Sequence, residues 1–399
     1  MSVRDPGSLR QDASTDGSTV ELVPLRDALA LGREVWAPLQ ASAAIASPFM
    51  TWAWHRSWTE AAPPGDVASS RAFLLRSRGG RLESVFPFRL FQAQFRRVPL
   101  RALGWAIHDL GCPDHLDLLA SPQADLGALV AELERLPWDV MLLDNVGQCS
   151  PNVDRLSAAC ERRGWTVHRL PISRCPYLVL PDSWAGYLAG LSSNRRQALR
   201  RSERVLHREY AVTLTDYGTE RLEEGWRCLH SLHLRRWGSS GHLAAPAMSR
   251  LHARFASLLP PRGAVWLASL ELDAKPVAAW YGFAMRDTVY FYQSGWDPTY
   301  RRRSVGNVLT GMMVRRAIEQ GYRCFDFLRG EEPYKRVWTG LARTCYRVVI
   351  LRPGWRGTAL RWLDRLARLR SAVSRATRTG LGMWLSYACW VARALMDAA

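Results

Sequence analysis

The chain has 399 residues, of which 48% are hydrophobic and 23% charged, so it can form the cores of two ordinary domains, and global disorder is excluded. The net charge is +18, but only Lys275 and Lys335 among the 54 basic residues are lysines. An almost complete preference for arginine indicates a compositional bias of the genome. The charge therefore favours anionic ligands in general and does not specify nucleic acid.

The two ends and the cysteines indicate a cytoplasmic protein. Residues 1–19 are polar and lack the apolar run typical of a signal peptide, so we expect a disordered tail there. The apolar stretch 381–392 is shorter than the 18 or so residues that cross a membrane. The eight cysteines form no CxxC pair, and we interpret them as reduced thiols in a core.

The first half of the chain predicts antiparallel strands followed by alternating helices and strands. The predicted elements are strands over 71–76, 82–90, 100–107 and 115–119, a helix over 126–136, a strand over 138–144, a helix over 153–163 and a strand over 166–170.

The second half repeats this order after a helical stretch. Helices are predicted over 184–209, 220–237 and 246–259, then strands over 264–272, 276–284 and 288–294, a helix over 305–320, a strand over 324–328, a short helix near Tyr334 and a strand over 346–351.

The repeat predicts an α/β fold with mixed (α+β) sheets, two similar units, and helices on both faces of the sheets. Three prolines in 171–181 place the boundary between a first unit, 20–175, and a second unit with a helical insert, 176–352. Residues 353–399 predict basic amphipathic helices.

A strand-to-helix connection in the second unit has the properties of an anion site. The segment Arg301-Arg-Arg-Ser-Val-Gly-Asn307 supplies three arginines and a glycine at the start of a predicted helix, where N–H groups are unpaired. A pyrophosphate could bind there. The alternative is that Ser304 is a plain helix cap and the arginines are solvated.

A second cluster follows the buried strand that carries Asp326. A buried carboxylate needs a partner, and Arg329 is the simplest one, so an ion pair that only fixes the loop is one interpretation. The other is a site, because Glu331, Glu332, Tyr334 and Lys335 follow the carboxyl end of the strand. We expect Tyr334 and Lys335 to face a cleft.

Other polar patterns are weaker. Arginines recur every fourth residue from Arg196 to Arg208, which predicts one basic stripe on a helix, either a solvated face or a contact for phosphate or RNA. The loop segment His108-Asp-Leu-Gly-Cys112 with Asp114-His115 contains metal-ligand residue types, and Cys228, His230 and His233 lie within six residues of a predicted helix, but neither group has a zinc spacing. We predict no metal.

Five segments together resemble a known family, the CelD-like acetyltransferases. These are GNAT-superfamily proteins of bacterial polysaccharide gene clusters, related to the FemAB aminoacyltransferases. The segments are Phe49-Met-Thr-Trp-Ala-Trp54 with Trp58, Leu191-Ser-Ser-Asn-Arg-Arg196 with Leu199-Arg-Arg201, Tyr290-Phe-Tyr-Gln-Ser-Gly-Trp-Asp297, Ser304-Val-Gly-Asn-Val-Leu309, and Phe325-Asp-Phe-Leu-Arg-Gly330 with Pro333-Tyr-Lys335 and Trp338.

The resemblance implies tandem GNAT-like units and transfer of an acetyl or other acyl group from acyl-CoA to an amine or hydroxyl of a sugar or cell-envelope precursor. The roles it implies are these: catalytic, Glu331, Glu332, Tyr334 and Asp326; acyl-CoA binding, Arg303, Ser304, Val305, Gly306, Asn307 and Lys335; acceptor binding, Arg195, Arg196, Arg200, Tyr292, Gln293, Asp297, Arg329 and Trp338.

The match to the usual GNAT pyrophosphate motif is partial. Gly306 is present three residues after Arg303, but valine stands at the last position, 308. The first unit has no such loop, and Asp125 before its helix would repel phosphate, so we expect the first unit to be structural or to bind the acceptor.

Two alternatives stay open. One is a Fem-like transferase that uses aminoacyl-tRNA, favoured by the arginine stripe but not by the short, interrupted helical insert. The other is a non-catalytic scaffold of a polysaccharide system. Either way, arginines and aromatic residues in 354–399 suit peripheral contact with the inner face of an anionic membrane, or docking on the folded body.

Overall fold

The computed structural model describes residues 17–44, 47–95, 98–107, 110–259 and 263–353. The expected disorder of residues 1–16 and the expected helices after residue 353 lie outside this part of the chain. Thr19, which we placed in the tail, begins the first strand. No helix in the described ranges is long and apolar enough to span a membrane.

From residue 70 onward the strands and helices follow the predicted order, except that the helix predicted over 184–209 is two helices and β8 was not predicted; the elements before residue 70 were not predicted either. The strands are β1 (Thr19–Pro24), β2 (Ser70–Arg76), β3 (Leu82–Phe95), β4 (Val98–Trp105), β5 (Leu119–Ala120), β6 (Val140–Val146), β7 (Thr166–Val179), β8 (Val212–Asp216), β9 (Val265–Leu272), β10 (Lys275–Met285), β11 (Thr288–Trp296), β12 (Cys324–Asp326) and β13 (Ala342–Leu351). The helices are α1 (Leu25–Ala30), α2 (Arg33–Ser42), α3 (Trp52–Ala61), α4 (Pro64–Ser69), α5 (Leu126–Arg135), α6 (Pro151–Arg162), α7 (Trp184–Gly190), α8 (Ser193–Glu209), α9 (Leu222–Trp237), α10 (Pro246–Leu258) and α11 (Val305–Glu319).

The strands form one continuous mixed sheet, and its pairing confirms the repeat. Its order is β1-β2-β3-β4-β6-β13-β7-β12-β11-β10-β9-β8, with β5 beside β3. In each half, three antiparallel strands are followed by a parallel pair, β4 with β6 and β11 with β12. Because parallel strands need a crossover, α5 and α11 occupy equivalent positions.

The two halves exchange their last strands. The final strand β13 pairs with β6 of the first half, and β7, which follows the first half in the chain, pairs with β12 of the second. We expected the last strand to complete the second half, and this was wrong. Sequence order could not reveal it, because an apolar pattern shows which face of a strand is buried and not which strand lies beside it.

The segment that we interpreted as a boundary is part of a strand. β7 continues through Pro171 and Pro176 to Val179. Pro171 lies opposite Tyr346 at a bulge, and Pro176 lies opposite Ala342 at the end of β13, where β7 changes partner to β12. Proline is tolerated at such positions because a bulge or strand end does not need its missing N–H.

Helices cover both faces of the sheet, which confirms the fold class. Trp280 and Tyr281, successive in β10, belong to different cores. Tyr281 packs with α9 and α10, whereas Trp280 packs with α7, α8 and α11. Gly295 lets α9 approach β11, because a Cβ there would lie 2.3 Å from the backbone nitrogen of His233.

Candidate functional site

A cleft of about 180 Å³ lies where β11 ends and α11 begins. Its walls come from β11, the following turn, the first turns of α11, the last turn of α9 and the loop after β12. The lining residues are Arg236, Phe291, Ser294, Trp296, Arg301, Ser304, Val305, Gly306, Asn307, Thr310 and Tyr334.

The N-terminus of α11 presents backbone donors to this cleft. Ser304 has left-handed backbone angles (φ 53°, ψ 35°), and its side chain does not cap the helix, so the plain-cap interpretation is wrong. The N–H groups of Asn307 and Val308 bond the Ser304 carbonyl oxygen, and among the described residues no acceptor is found for those of Val305 and Gly306. With no acidic residue in its first turn, this helix end favours an anion.

Gly306 lines the cleft beside Trp296. A Cβ at this position would lie 3.2 Å from Cδ1 of Trp296, closer than most such contacts. Glycine therefore leaves the backbone N–H open to a ligand beside the indole.

The equivalent helix of the first half is closed to anions. Asp125 caps α5, and its Oδ1 accepts hydrogen bonds from the N–H groups of Gly127 (2.9 Å) and Ala128 (3.3 Å). A carboxylate at that position excludes a phosphate by charge and by occupation of the same donors.

Asp297 positions the turn before α11. This buried carboxylate accepts hydrogen bonds from the backbone N and Oγ1 of Thr299, at 3.0 and 2.7 Å, and pairs with Arg235 at 2.9 Å. Burial opposes its ionisation, but these partners outweigh that effect and lower its pKa. We expected it to bind the acceptor, but its oxygens instead bind the turn.

The arginines of the turn before α11 differ in whether they line the cleft or pair with another residue of the protein. Arg301 lines the cleft, whereas Nε of Arg303 lies 2.7 Å from Oε2 of Glu209, and Arg303 is not a lining residue. The cation that sequence reasoning missed is Arg236, whose guanidinium lies over the rings of Trp237 and Trp296. It comes from α9, and no local signal marks it.

Tyr334 lies in the cleft, opposite the N-terminus of α11. It is half-buried, with its ring centroid 6.4 Å from that of Phe291. Burial raises the pKa of its phenol, Glu332 raises it further, and Arg236 lowers it. The phenol is therefore protonated at neutral pH and is suited to donate a proton.

Lys335 does not face the cleft. It is buried, and its Nζ donates to the Arg329 carbonyl at 2.6 Å and lies 3.0 Å from Oε2 of Glu332. The side chain turns inward because the loop carbonyls need a donor. Its observed contacts fix the loop that carries Tyr334.

The two predicted acids are exposed beside this loop. Glu331 lies 3.6 Å from Arg174, and Glu332 pairs with Lys335. Neither is a lining residue of the cleft.

We had predicted that Asp326 pairs with Arg329, and this was wrong. Oδ2 of Asp326 lies 2.9 Å from Nη1 of Arg343 and 3.2 Å from Nε2 of His115. Burial opposes its ionisation, but His115 and Arg343 outweigh that effect and lower its pKa.

The chain turns at Leu328, which has a positive φ of 55°, and this directs Arg329 away from Asp326. Nε of Arg329 lies 2.7 Å from Oδ1 of Asp114. Asp326 and Arg329 therefore each bind a residue of the loop that precedes β5, and both lie outside the cleft lining.

Three other predicted acceptor residues have internal contacts. Tyr292 donates its hydroxyl to the Gly111 carbonyl at 2.9 Å, and Gln293 accepts from the backbone N of Ser294. Trp338 is buried, 3.2 Å from where a Cβ of Gly311 would lie.

The predicted basic stripe is present on α8. Arg195 and Arg200 are exposed, and Arg196 donates to the Leu188 carbonyl at 3.4 Å. An open groove along this helix is lined by Gln197, Arg200, Glu203, Arg204, His207 and Arg208. The helix ends at Glu209, the partner of Arg303, so the stripe leads to the edge of the cleft.

The residues that line the cleft lie in a segment that is similar to a known protein family. The family model described as "Acetyltransferase (GNAT) domain" matches residues 193–336. No curated protein matches the chain.

One solved structure supports the fold. A conserved protein of unknown function from Bacteroides thetaiotaomicron is 14% identical to this chain, with a TM-score of 0.53, and the match covers 81% of this chain and 97% of that protein. Two other structures are each 11% identical, with TM-scores of 0.47: the C-terminal domain of a putative lysylphosphatidylglycerol synthetase from Agrobacterium fabrum and FemX. The first match covers 83% of this chain and 95% of the other, and the second covers 79% and 95%. Residues 193–336, which include all the lining residues of the cleft, are thus the part of the chain that is similar to GNAT-type acetyltransferase domains.

Proposed function

We propose that the protein transfers an acyl group from an acyl-CoA thioester to an amine or hydroxyl of a sugar or another cell-envelope precursor. The observation that supports this most directly is the cleft itself. Open N–H groups of α11, the exposed Arg301 and a protonated Tyr334 line the same cleft.

In this proposal the N–H groups of Val305 and Gly306 bind the donor pyrophosphate, and Arg301 neutralises its charge. Arg236 lines the same cleft as these groups and Tyr334, and a cation there would stabilise the oxyanion of the thioester carbonyl or the departing thiolate. Arg303 stays with Glu209, and we no longer assign it or Lys335 to the donor.

The acceptor nitrogen or oxygen attacks the thioester carbon, the carbon–sulfur bond breaks, and the thiolate takes the phenolic proton of Tyr334. The proton lost by the acceptor goes to a base. We assign Glu332 as that base because it is exposed and lies two residues before Tyr334 on the same loop, with water carrying the proton from the cleft.

The test is release of free CoA from acetyl-CoA with a panel of amino sugars. Tyr334→Phe is expected to lower turnover by about 10²-fold or more, while acetyl-CoA affinity in calorimetry is unchanged, because only a proton donor is lost. Tyr322→Phe, a half-buried tyrosine of the same core, is the matched control. Normal turnover by Tyr334→Phe would contradict the assignment, and no acetyl-CoA binding by the wild type would contradict the donor.

A second candidate is transfer from aminoacyl-tRNA, and the arginine-lined groove on α8 favours it. RNA phosphates bound there would make affinity fall steeply with salt. Competition of aminoacyl-tRNA with acetyl-CoA, repeated with Arg200 and Arg204 replaced by glutamine, distinguishes the two donors. If neither donor binds, the scaffold alternative is favoured.

We further propose that residues 354–399 hold the enzyme at the inner face of an anionic membrane. Flotation with phosphatidylglycerol vesicles at low and high salt, with and without these residues, tests this, because attraction to acidic lipid is screened by salt. Absence of binding at low salt by the full chain would contradict it.

A further inference from the structure

Three potential metal ligands meet at the centre of the sheet, away from the cleft. Sγ of Cys175 lies 3.6 Å from Sγ of Cys345, which lies 3.8 Å from Nδ1 of His115. The three ligand atoms all lie within 4.8 Å of one another, and all three residues are buried.

The three residues come from parts of the chain far apart in sequence. Cys175 is on β7 and Cys345 on β13, in the stretch where these strands pair, and His115 is in the loop before β5. His115 has a positive φ of 53°, a left-handed conformation that histidine adopts more readily than most residues. The exchange of strands between the two halves therefore creates the cluster.

The second nitrogen of the histidine is held as metal-binding histidines usually are. Nε2 of His115 lies 3.2 Å from Oδ2 of Asp326, and that carboxylate is held in turn by Arg343 at 2.9 Å and by the backbone N of Leu328 at 2.8 Å. A carboxylate on Nε2 fixes the ring and leaves the Nδ1 lone pair for a metal.

The distances suit a small ion with tetrahedral ligands. With bonds of about 2.3 Å to sulfur and 2.0–2.1 Å to nitrogen, the ligand atoms around zinc lie about 3.5–3.8 Å apart. The sulfur–sulfur distance of 3.6 Å and the distance of 3.8 Å from Cys345 to the histidine match this spacing, and the remaining distance, from Cys175 to His115, is within 4.8 Å, so a small movement of one side chain completes the geometry. A disulfide would instead require the two sulfurs to approach to about 2.05 Å.

We propose that His115, Cys175 and Cys345 bind one zinc-type cation, with the fourth position left to a water molecule. The two thiols lose their protons to solvent on binding, and the ion links the loop before β5 to β7 and β13. Because Asp326 and Arg329 contact the same loop, the ion stabilises the segment from β12 to Tyr334. The proposal does not depend on the acyl-transfer function.

The first test measures metal in the purified full-length protein by elemental analysis. About one zinc per chain is expected after growth with zinc, and cobalt exchange should produce thiolate-to-metal charge-transfer absorption. Cys175→Ser and Cys345→Ser are each expected to lower the zinc content at least about tenfold. Cys160→Ser, a buried thiol in α6 outside the cluster, is the matched control.

Removal of the ion gives a second readout that needs no variant. A chelator is expected to lower the melting temperature, and zinc to restore it. Less than about a tenth of an equivalent of zinc in the wild type, with no cobalt absorption, would overturn the proposal. A Cys175–Cys345 disulfide, found by mass spectrometry after alkylation under non-reducing conditions, would also overturn it.

Discussion

Arg303 and Glu209 form an ion pair, with 2.7 Å between Nε and Oε2, that joins the turn before α11 to the end of α8. The last of three consecutive arginines is therefore directed away from the cleft, while Arg301 lines it. The pair also places a carboxylate beside the turn that leads into the proposed phosphate site.

Removal of that carboxylate should strengthen donor binding. Glu209→Gln releases Arg303 and eliminates a negative charge, and exposed pairs of this kind are worth about 0.2–1 kcal/mol, so acetyl-CoA affinity should rise up to about fivefold. Calorimetry at low and high salt measures this. Glu319→Gln, which removes an exposed partner of Arg315 at the other end of α11, is the control, and weaker binding by Glu209→Gln would contradict the prediction.

A side chain at position 306 should obstruct the donor. A Cβ there already contacts Trp296, so Gly306→Val places its methyl groups where the backbone must meet the pyrophosphate. We expect acetyl-CoA to bind at least about tenfold more weakly, which is about 1.4 kcal/mol. Gly190→Val, where a Cβ meets nothing within 4 Å, is the control. Unchanged acetyl-CoA affinity would show that the donor binds at another place in the protein.

Replacement of Lys335 should lower the stability of the folded protein. Its buried Nζ binds loop carbonyls and Glu332, so Lys335→Met leaves these acceptors without a donor and should lower the free energy of unfolding by about 1–3 kcal/mol. Lys275→Met, at the start of β10 and exposed, should change it little. Urea denaturation measures both, and equal stabilities would show that Lys335 does not fix the loop.

His55 should make the protein less stable in acid. Burial lowers the pKa of this histidine from 6.5 to about 4, while its backbone bond to Thr51 opposes the shift. The unfolded chain binds the proton first, so stability is fully present above about pH 6.5 and falls by about 3 kcal/mol toward about pH 4, below which this group adds no further slope.

The measurement is urea denaturation across this pH range for the wild type and His55→Gln. The variant should lose that part of the pH dependence, and His207→Gln, exposed on α8, should retain it. An unchanged profile in His55→Gln would show that His55 does not cause the acid sensitivity.

Local sequence pattern was sufficient to predict the strands and helices around the cleft and the turn that forms one of its walls. The helix over 305–320 and the strands on either side follow from apolar periodicity, and the turn at 301–307 follows from glycine and charge beside a helix start. These features depend on residues close together in the chain, as does the capping of α5 by Asp125.

Local sequence pattern could not predict contacts between residues that are far apart in the chain. The pairing of Arg329 with Asp114 and of Asp326 with Arg343 and His115 depends on which strand lies next to which. The strand exchange of β7 and β13 decides this, and local apolar periodicity does not specify which strands lie side by side.

The sequence by itself therefore determined the α/β repeat, the helix end that can bind an anion and the loop that carries Tyr334. Only the tertiary structure decided that Arg236 joins this cleft, that Lys335 does not, and that His115 meets two cysteines. The physical reason is that periodicity and turn chemistry act over a few residues, whereas contacts across a sheet are set by the packing of elements far apart in the chain.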